Sequence, residues 1–267
     1  MLVAKPELDE TRTMRLQGKT AIVTGAAGSI GSAIARRLAS EGAEVCLAAR
    51  RGAPELAAEI RALGRRAIEL RTDVTSKAAN QEMVARAVEA FGKVDILVTV
   101  AGVVSMGPAE TLAEEEWDRV MAINLKGAFL SCQAVIAHMR AQRYGRIINI
   151  GSLLAKNGGN PRPWIDRSEQ TRAGNVAYGS AKAGVHAMSL FLAKELAADG
   201  ITVNVVAPGP IGTRMTTNLP DTVRLQIPIG RLGTPEEVAD AVAYLAGEQA
   251  GWVTGEILDI NGGIWID

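Results

Sequence analysis

Cysteine, histidine and unbalanced charge are what this 267-residue chain has least of. Its two cysteines, Cys46 and Cys132, stand far apart in apolar periodic segments, which reads as buried free thiols in a reducing compartment. Its two histidines, His138 and His186, are also far apart, which argues against a histidine-based zinc site, and no metal is expected. Lysine plus arginine and aspartate plus glutamate number 29 each, which leaves no overall basic face for nucleic acid. No run approaches the roughly 18 consecutive apolar residues of a membrane span. Residues 1–17 mix charges without an apolar signal-peptide core, and read as a short N-terminal extension. The expectation is a cytoplasmic protein with neither membrane nor nucleic acid as partner.

What is present suffices for one large core, since 48% of the residues are hydrophobic. Thr20 to Thr24 is a β-branched run that ends at Gly25. From Ser29 to Ser40 a helix follows, with Ile30, Ile34 and Leu38 on one side. The turn between them holds Gly25, Gly28, Ser29, Ile30 and Gly31. Glycine allows the tight turn and close backbone approach, and N–H groups at the helix start suit a pyrophosphate. Val45 to Ala49 is the next strand, followed by Arg50 and Arg51 where an acidic residue would hold the ribose hydroxyls of NAD. The arginine fork suits a 2′-phosphate, so NADP is favoured over NAD; the bland alternative is a solvated basic loop.

Strands and helices go on alternating. Residues 67–72 form a third strand ending in Asp73 and Val74, and Thr75 to Phe91 a helix capped by Thr75 or Ser76 and closed by Gly92. Val94 to Val100 is a nearly continuous apolar strand before Ala101 and Gly102. A helix from Leu112 to about Arg140, closed by Gly145, carries Asn124 among apolar neighbours, where it needs hydrogen-bond partners. Arg146 to Gly151 is a strand that delivers Ser152 at its carboxyl end. In open α/β sheets ligands bind there. The pattern predicts one α/β domain over 18–267, a doubly wound parallel sheet of about seven strands with helices on both faces.

Residues 153–176 are turn-rich and then charged, an inserted loop in front of the next helix. That helix carries Tyr178 and Lys182, four apart and so on one face. A phenol near a pKa of about 10 is a poor proton donor at neutrality, and a neighbouring ammonium would pull that value down. Beyond the strand from Ile201 come Pro208, Gly209, Ile211 and Thr213. A lid follows at 212–230, then a helix opened by the capping box at Thr234 and a last strand at 256–260.

With the glycine turn, Asn124, Ser152, Tyr178 and Lys182 in this order, the chain resembles the short-chain dehydrogenase/reductase family over about residues 18–263. It looks most like the 3-oxoacyl-carrier-protein reductase type, through Ile227–Val238 and Val253–Gly263. The resemblance implies a single-domain Rossmann fold, a homotetramer built through the long helices, and a small carbonyl or alcohol substrate. It implies Tyr178 as proton donor or acceptor, and Lys182 as the residue that binds the nicotinamide ribose and depresses Tyr178. Ser152 would bond the substrate oxygen, Asn124 would hold a water, Asp73 and Val74 would flank the adenine, and Ile211 and Thr213 would hold the carboxamide. An NAD-dependent dehydrogenase of a sugar, polyol or hydroxy acid is the alternative enzyme, and a non-catalytic nucleotide-binding regulator a remote one.

Three departures from the family pattern stand out. Ser29 replaces the middle glycine of the turn. Thr99 and Val100 replace an Asn-Asn pair, which removes side-chain ties to the strand. Ser152 and Tyr178 stand 26 positions apart, about twice the family gap. The intervening insertion suggests Trp164 with Arg162 or Arg167 as contacts to an anionic substrate, against the alternative of a subunit-contact or surface loop.

Overall fold

The computed structural model describes residues 14–159, 174–213, 216 and 221–266. Its strands are β1 (Thr20–Thr24), β2 (Glu44–Ala49), β3 (Ala67–Arg71), β4 (Ile96–Thr99), β5 (Gly145–Ile150), β6 (Ile201–Pro208) and β7 (Ile257–Ile260). They form one sheet in the order β3-β2-β1-β4-β5-β6-β7, every pair parallel. Its helices are α1 (Ser29–Ser40), α2 (Pro54–Ala62), α3 (Lys77–Phe91), α4 (Glu114–Met121), α5 (Gly127–Gln142), α6 (Leu154–Asn157), α7 (Val176–Leu196), α8 (Asp221–Arg224) and α9 (Pro235–Ala246). Successive strand residues point to opposite faces, so Val23, Val98 and Ile148 meet Ile34 and Leu38 of α1 and Val242 of α9. Their neighbours Ile22, Leu97 and Ile147 meet Met83 of α3, Met139 of α5 and Leu196 of α7. Burying each such aliphatic side chain stabilises the fold by about 1.5–3 kcal/mol, and both faces are covered. Chain order reverses between β1 and β4, which opens a crevice at their carboxyl ends.

Local chemistry sets most of the boundaries. Ser76 caps α3 by accepting the Ala79 N–H, and Gly92 closes it at φ 85°. Thr234 and Glu237 form the reciprocal capping box of α9, and Arg231 and the Thr234 N–H hold the Glu237 carboxyl down at about 2. Both cysteines are buried and free, and burial pushes each thiol up to about 12.

Several boundaries differ from expectation, among them the following three. The folded body includes Leu16, which is fully buried and whose N–H donates to Glu41 O at 2.8 Å, so it starts before residue 18. Residues 1–13 lie outside the described part. The helix from Glu114 to Gln142 is interrupted by a π-helical turn at Ala122–Lys126, and the Gly127 N–H reaches back to Ala122 O. Arg143, at φ 55°, ends that helix in place of Gly145. Gly145 lies instead in β5, where a Cβ would meet Met139 Sδ at 2.5 Å. By length and composition this 29-residue stretch could cross a membrane. Here its inner side, including Val135 and Met139, is part of the core under the sheet.

Candidate active site

The crevice begins at the turn after β1. Gly25 has φ +66°, and a Cβ there would lie 2.7 Å from Ala101 N. A Cβ on Gly31 would lie 2.3 Å from Gly25 O, so the turn and the helix start touch backbone to backbone. Gly28 is the N-cap of α1 and no side chain caps that end. The first N–H groups of the helix are therefore free to meet an anion, which fits a dinucleotide pyrophosphate. Ser29, at the departure from the family pattern, is exposed and does not crowd the turn. Replacing Gly31 by Ala drives a methyl into the Gly25 carbonyl, an overpacking that costs about 1–3 kcal/mol. Titration of NADPH fluorescence should show affinity lowered by at least about tenfold, with a lower Tm in the same protein.

Arg50 and Arg51 follow β2 and are exposed. Asp73 accepts from the Thr75 hydroxyl at 2.7 Å and the Thr75 N–H at 2.9 Å. These bonds, with the charge of Arg50, hold its carboxyl below the usual range. Val74 is buried against Gly127, where a Cβ would meet its Cγ2 at 2.8 Å. Thr24 supplies a tie that sequence reasoning missed, because its Oγ1 accepts the N–H groups of Val100 (3.1 Å) and Ala101 (3.4 Å). Thr99 Oγ1 donates to Asn149 Oδ1 at 2.6 Å. The strand end is tied down without the Asn-Asn pair.

Asn124 sits in the π turn, where its Oδ1 accepts the Val103 N–H (2.7 Å) and its Nδ2 donates to Val103 O (2.8 Å). Its side chain thus braces the loop after β4. Gly102 fits beneath it, since a Cβ there would lie 3.0 Å from Asn124 Oδ1.

Ile30, Gly102, Ser152, Tyr178, Lys182, Pro208, Gly209, Ile211 and Thr213 all line one cleft, with Val100, Val103 and Val104 as apolar wall. Gly209 is packed so that a Cβ would meet Asn261 Cα at 2.8 Å. Thr216 Oγ1 accepts the Thr213 N–H at 2.9 Å and donates to Ile211 O at 2.6 Å. Ser152 is buried at the end of β5, and its Oγ accepts the Leu154 N–H at 3.2 Å. Lys182 is buried too, its Nζ donating to Ile150 O at 2.6 Å and standing 6.0 Å from the Tyr178 ring centre. Burial brings the Lys182 ammonium down to about 8. Burial also pushes the Tyr178 phenol up, and the side chain that draws it back is Ser152. The expected depression by Lys182 is not found, because that ammonium is itself desolvated and is directed at the Ile150 carbonyl.

His186 was passed over by the sequence reading, although it lies four residues beyond Lys182 and eight beyond Tyr178, on the same helix face. Its Nε2 accepts the Ser152 N–H at 3.3 Å. Arg162, Trp164 and Arg167 lie outside the described residues. In the loop after β4, the Gly107 N–H donates to Gly174 O at 2.7 Å.

The family model described as enoyl-(acyl carrier protein) reductase matches residues 25–265. The 3-oxoacyl-acyl-carrier-protein reductase FabG of Escherichia coli is 40% identical over 259 residues, 95% of this chain and 100% of that protein. The hydroxy(phenyl)methylsuccinyl-CoA dehydrogenase subunit BbsD of Thauera aromatica is 39% identical over 256 residues, 94% and 98% of the two chains. A short-chain type dehydrogenase/reductase from Mycobacterium marinum superposes with a TM-score of 0.85 at 32% identity, covering 96% of this chain and 98% of the other. The chain therefore belongs to the short-chain dehydrogenase/reductase family, and is an oxidoreductase of carbonyl and CH–OH groups that uses a nicotinamide cofactor.

Proposed function

We propose that the protein is a cytoplasmic NADPH-dependent reductase of 3-oxoacyl thioesters, with Tyr178, Ser152 and Lys182 as its working groups. The observation that carries this reading is their meeting in one cleft with an apolar wall, beside an uncapped helix start. Bound NADPH supplies the hydride for the substrate carbonyl. The turn from Gly25 to Gly31 and the start of α1 receive its pyrophosphate, Arg50 and Arg51 its 2′-phosphate, and Asp73 and Val74 flank its adenine. Lys182 takes the ribose, and Ile211 and Thr213 orient the carboxamide. As negative charge grows on the substrate oxygen, Tyr178 Oη donates its proton to it. Ser152 Oγ accepts from Leu154 and its side chain bonds Tyr178, so its O–H stands beside the phenol and turns to donate to the same oxygen. Val100, Val103 and Val104 keep water from the reacting centre and suit an acyl chain.

Acetoacetyl-CoA, 2-keto acids, sugars and secondary alcohols, each assayed with both cofactors, test the substrate class. A higher kcat/KM for a keto acid or sugar, with the thioester inert, would overturn it. Arg50→Ala tests the cofactor: the kcat/KM ratio of NADPH to NADH should fall by about tenfold or more, the value of a lost charge-assisted contact. An unchanged ratio sinks that assignment.

The same reading takes the protein as a homotetramer. Met121, Leu125, Phe129 and Met188 line an apolar surface groove between the continuous α4–α5 helix and α7, with Phe129 41% exposed. A second copy of these helices is the occupant it suits, and light scattering would measure the assembly mass.

A further inference from the structure

We propose that His186 is a positioning residue for the carbonyl reaction. Its neutral imidazole, with hydrogen on Nδ1 and the lone pair on Nε2, holds the Gly151–Ser152 peptide so that the Ser152 hydroxyl meets the substrate oxygen. This rests on the role of Ser152 given above.

Three observations carry the assignment. The Ser152 N–H points at His186 Nε2, 3.3 Å away in a buried setting. A ring nitrogen accepts only when it carries no proton, which places the hydrogen of the neutral ring on Nδ1. Next, the imidazole lies so close to Gly151 that a Cβ there would meet Nε2 at 2.2 Å and Cδ2 at 2.7 Å. The glycine that follows β5 is matched to the ring. Finally, the surrounding main-chain groups have other partners: Gly151 N–H donates to Val206 O (2.8 Å), Leu153 N–H to Pro208 O (2.9 Å), and Ile150 O accepts from Lys182. His186 is thus the acceptor that keeps the buried Ser152 N–H from being orphaned, a state that proteins rarely tolerate.

The charges around the ring favour the accepting form. Lys182 lies one turn earlier on α7, and Lys156 of α6 bonds Asp259 of β7 at 2.7 Å. Burial, then Lys156, then Lys182 bring the imidazole down to about 4, so it is neutral wherever the enzyme would work.

The test compares His186→Leu, which keeps bulk without an acceptor, with His186→Gln, whose Oε1 reaches to about the place of Nε2. Wild type and Ser152→Ala serve as references. The expected result is a kcat about tenfold lower for His186→Leu, the value of one oriented hydrogen bond. Its NADPH dissociation constant, read by fluorescence titration, should stay within about twofold, and His186→Gln should recover most of the lost rate. Nitrogen-15 shifts of the two histidines should show a bare Nε2 and a protonated Nδ1 at His186 down to about pH 5. Wild-type kcat in His186→Leu, equal loss in both variants, or a proton on Nε2 would each overturn the proposal. Should His186→Leu not fold, the His186→Gln rate and the ring shifts decide between the same outcomes. Full turnover by Ser152→Ala would remove the role of Ser152 itself; an inactive Ser152→Ala beside an unimpaired His186→Leu removes only His186.

Discussion

Replacing Tyr178 by Phe should abolish carbonyl reduction while leaving NADPH binding within about twofold. The change deletes one oxygen and keeps the ring that packs in the cleft. That oxygen has two tasks in the proposed mechanism. It donates a positioned hydrogen bond to the developing alkoxide, worth about 10²–10³ in rate, and it transfers the proton, worth about 10²–10⁴. The two overlap, so a loss of about three orders of magnitude or more in kcat is expected. Steady-state kinetics with acetoacetyl-CoA and a fluorescence titration of NADPH measure both halves. Undiminished turnover would refute the assignment.

The pH dependence has a definite sign. Burial raises the Tyr178 phenol above its ordinary value, and Ser152 only partly draws it back. The phenol is thus protonated throughout the neutral range, and reduction finds its proton in place. Oxidation of the alcohol needs the phenolate. Its rate should climb by about tenfold per pH unit through neutrality and flatten only where the phenol titrates. In Tyr178→Phe the residual oxidation rate should lose that slope.

Periodicity and turn chemistry made the sheet, its helices and the position of Ser152 legible, because these depend on local pattern and on the carboxyl ends of parallel strands. What escaped depends on contacts between distant segments. Nothing in Ala122–Lys126 distinguishes a π turn from an ordinary helical one, yet that turn aims Asn124 at Val103. The missing Asn-Asn pair read as a loss of ties, but Thr24 on the neighbouring strand supplies them across a register that no local spacing displays. Leu16 stood among charges and read as part of a tail, whereas the Glu41 carbonyl fixes it in the core. In the sequence His186 is one of two distant histidines; in the fold its neighbour is the Ser152 peptide.

Replacing Lys182 by Met should yield a protein that is catalytically crippled yet, without cofactor, more stable at pH 7. Burial brings the ammonium from 10.5 to about 8, so the folded state disfavours the charge relative to the unfolded chain. Between about pH 8 and 10.5 the unfolded chain holds this proton and the folded chain does not. Stability of the wild type therefore rises with pH across that window, by at most about 3 kcal/mol, and the corresponding penalty is fully present at pH 7. Methionine fills nearly the same volume without the charge. It also removes the donor to Ile150 O, which costs about 1–2 kcal/mol and leaves a net gain of about 1–2 kcal/mol. Function moves the other way. Without the ammonium the ribose loses its charged partner, and the carbonyl that ends β5 loses the group holding it beside Ser152. NADPH affinity should fall by about tenfold, and kcat by about 10²–10³ as the cofactor and the Ser152 peptide lose alignment. In the wild type, affinity should itself weaken as pH rises through about 8, whereas the methionine variant should bind weakly at every pH. Thermal melts across pH 7–10, paired with titrations of NADPH, separate the two effects. A variant both inactive and less stable at pH 7 would mean that the buried ammonium supports the fold, and that its penalty in the apoprotein has been overstated.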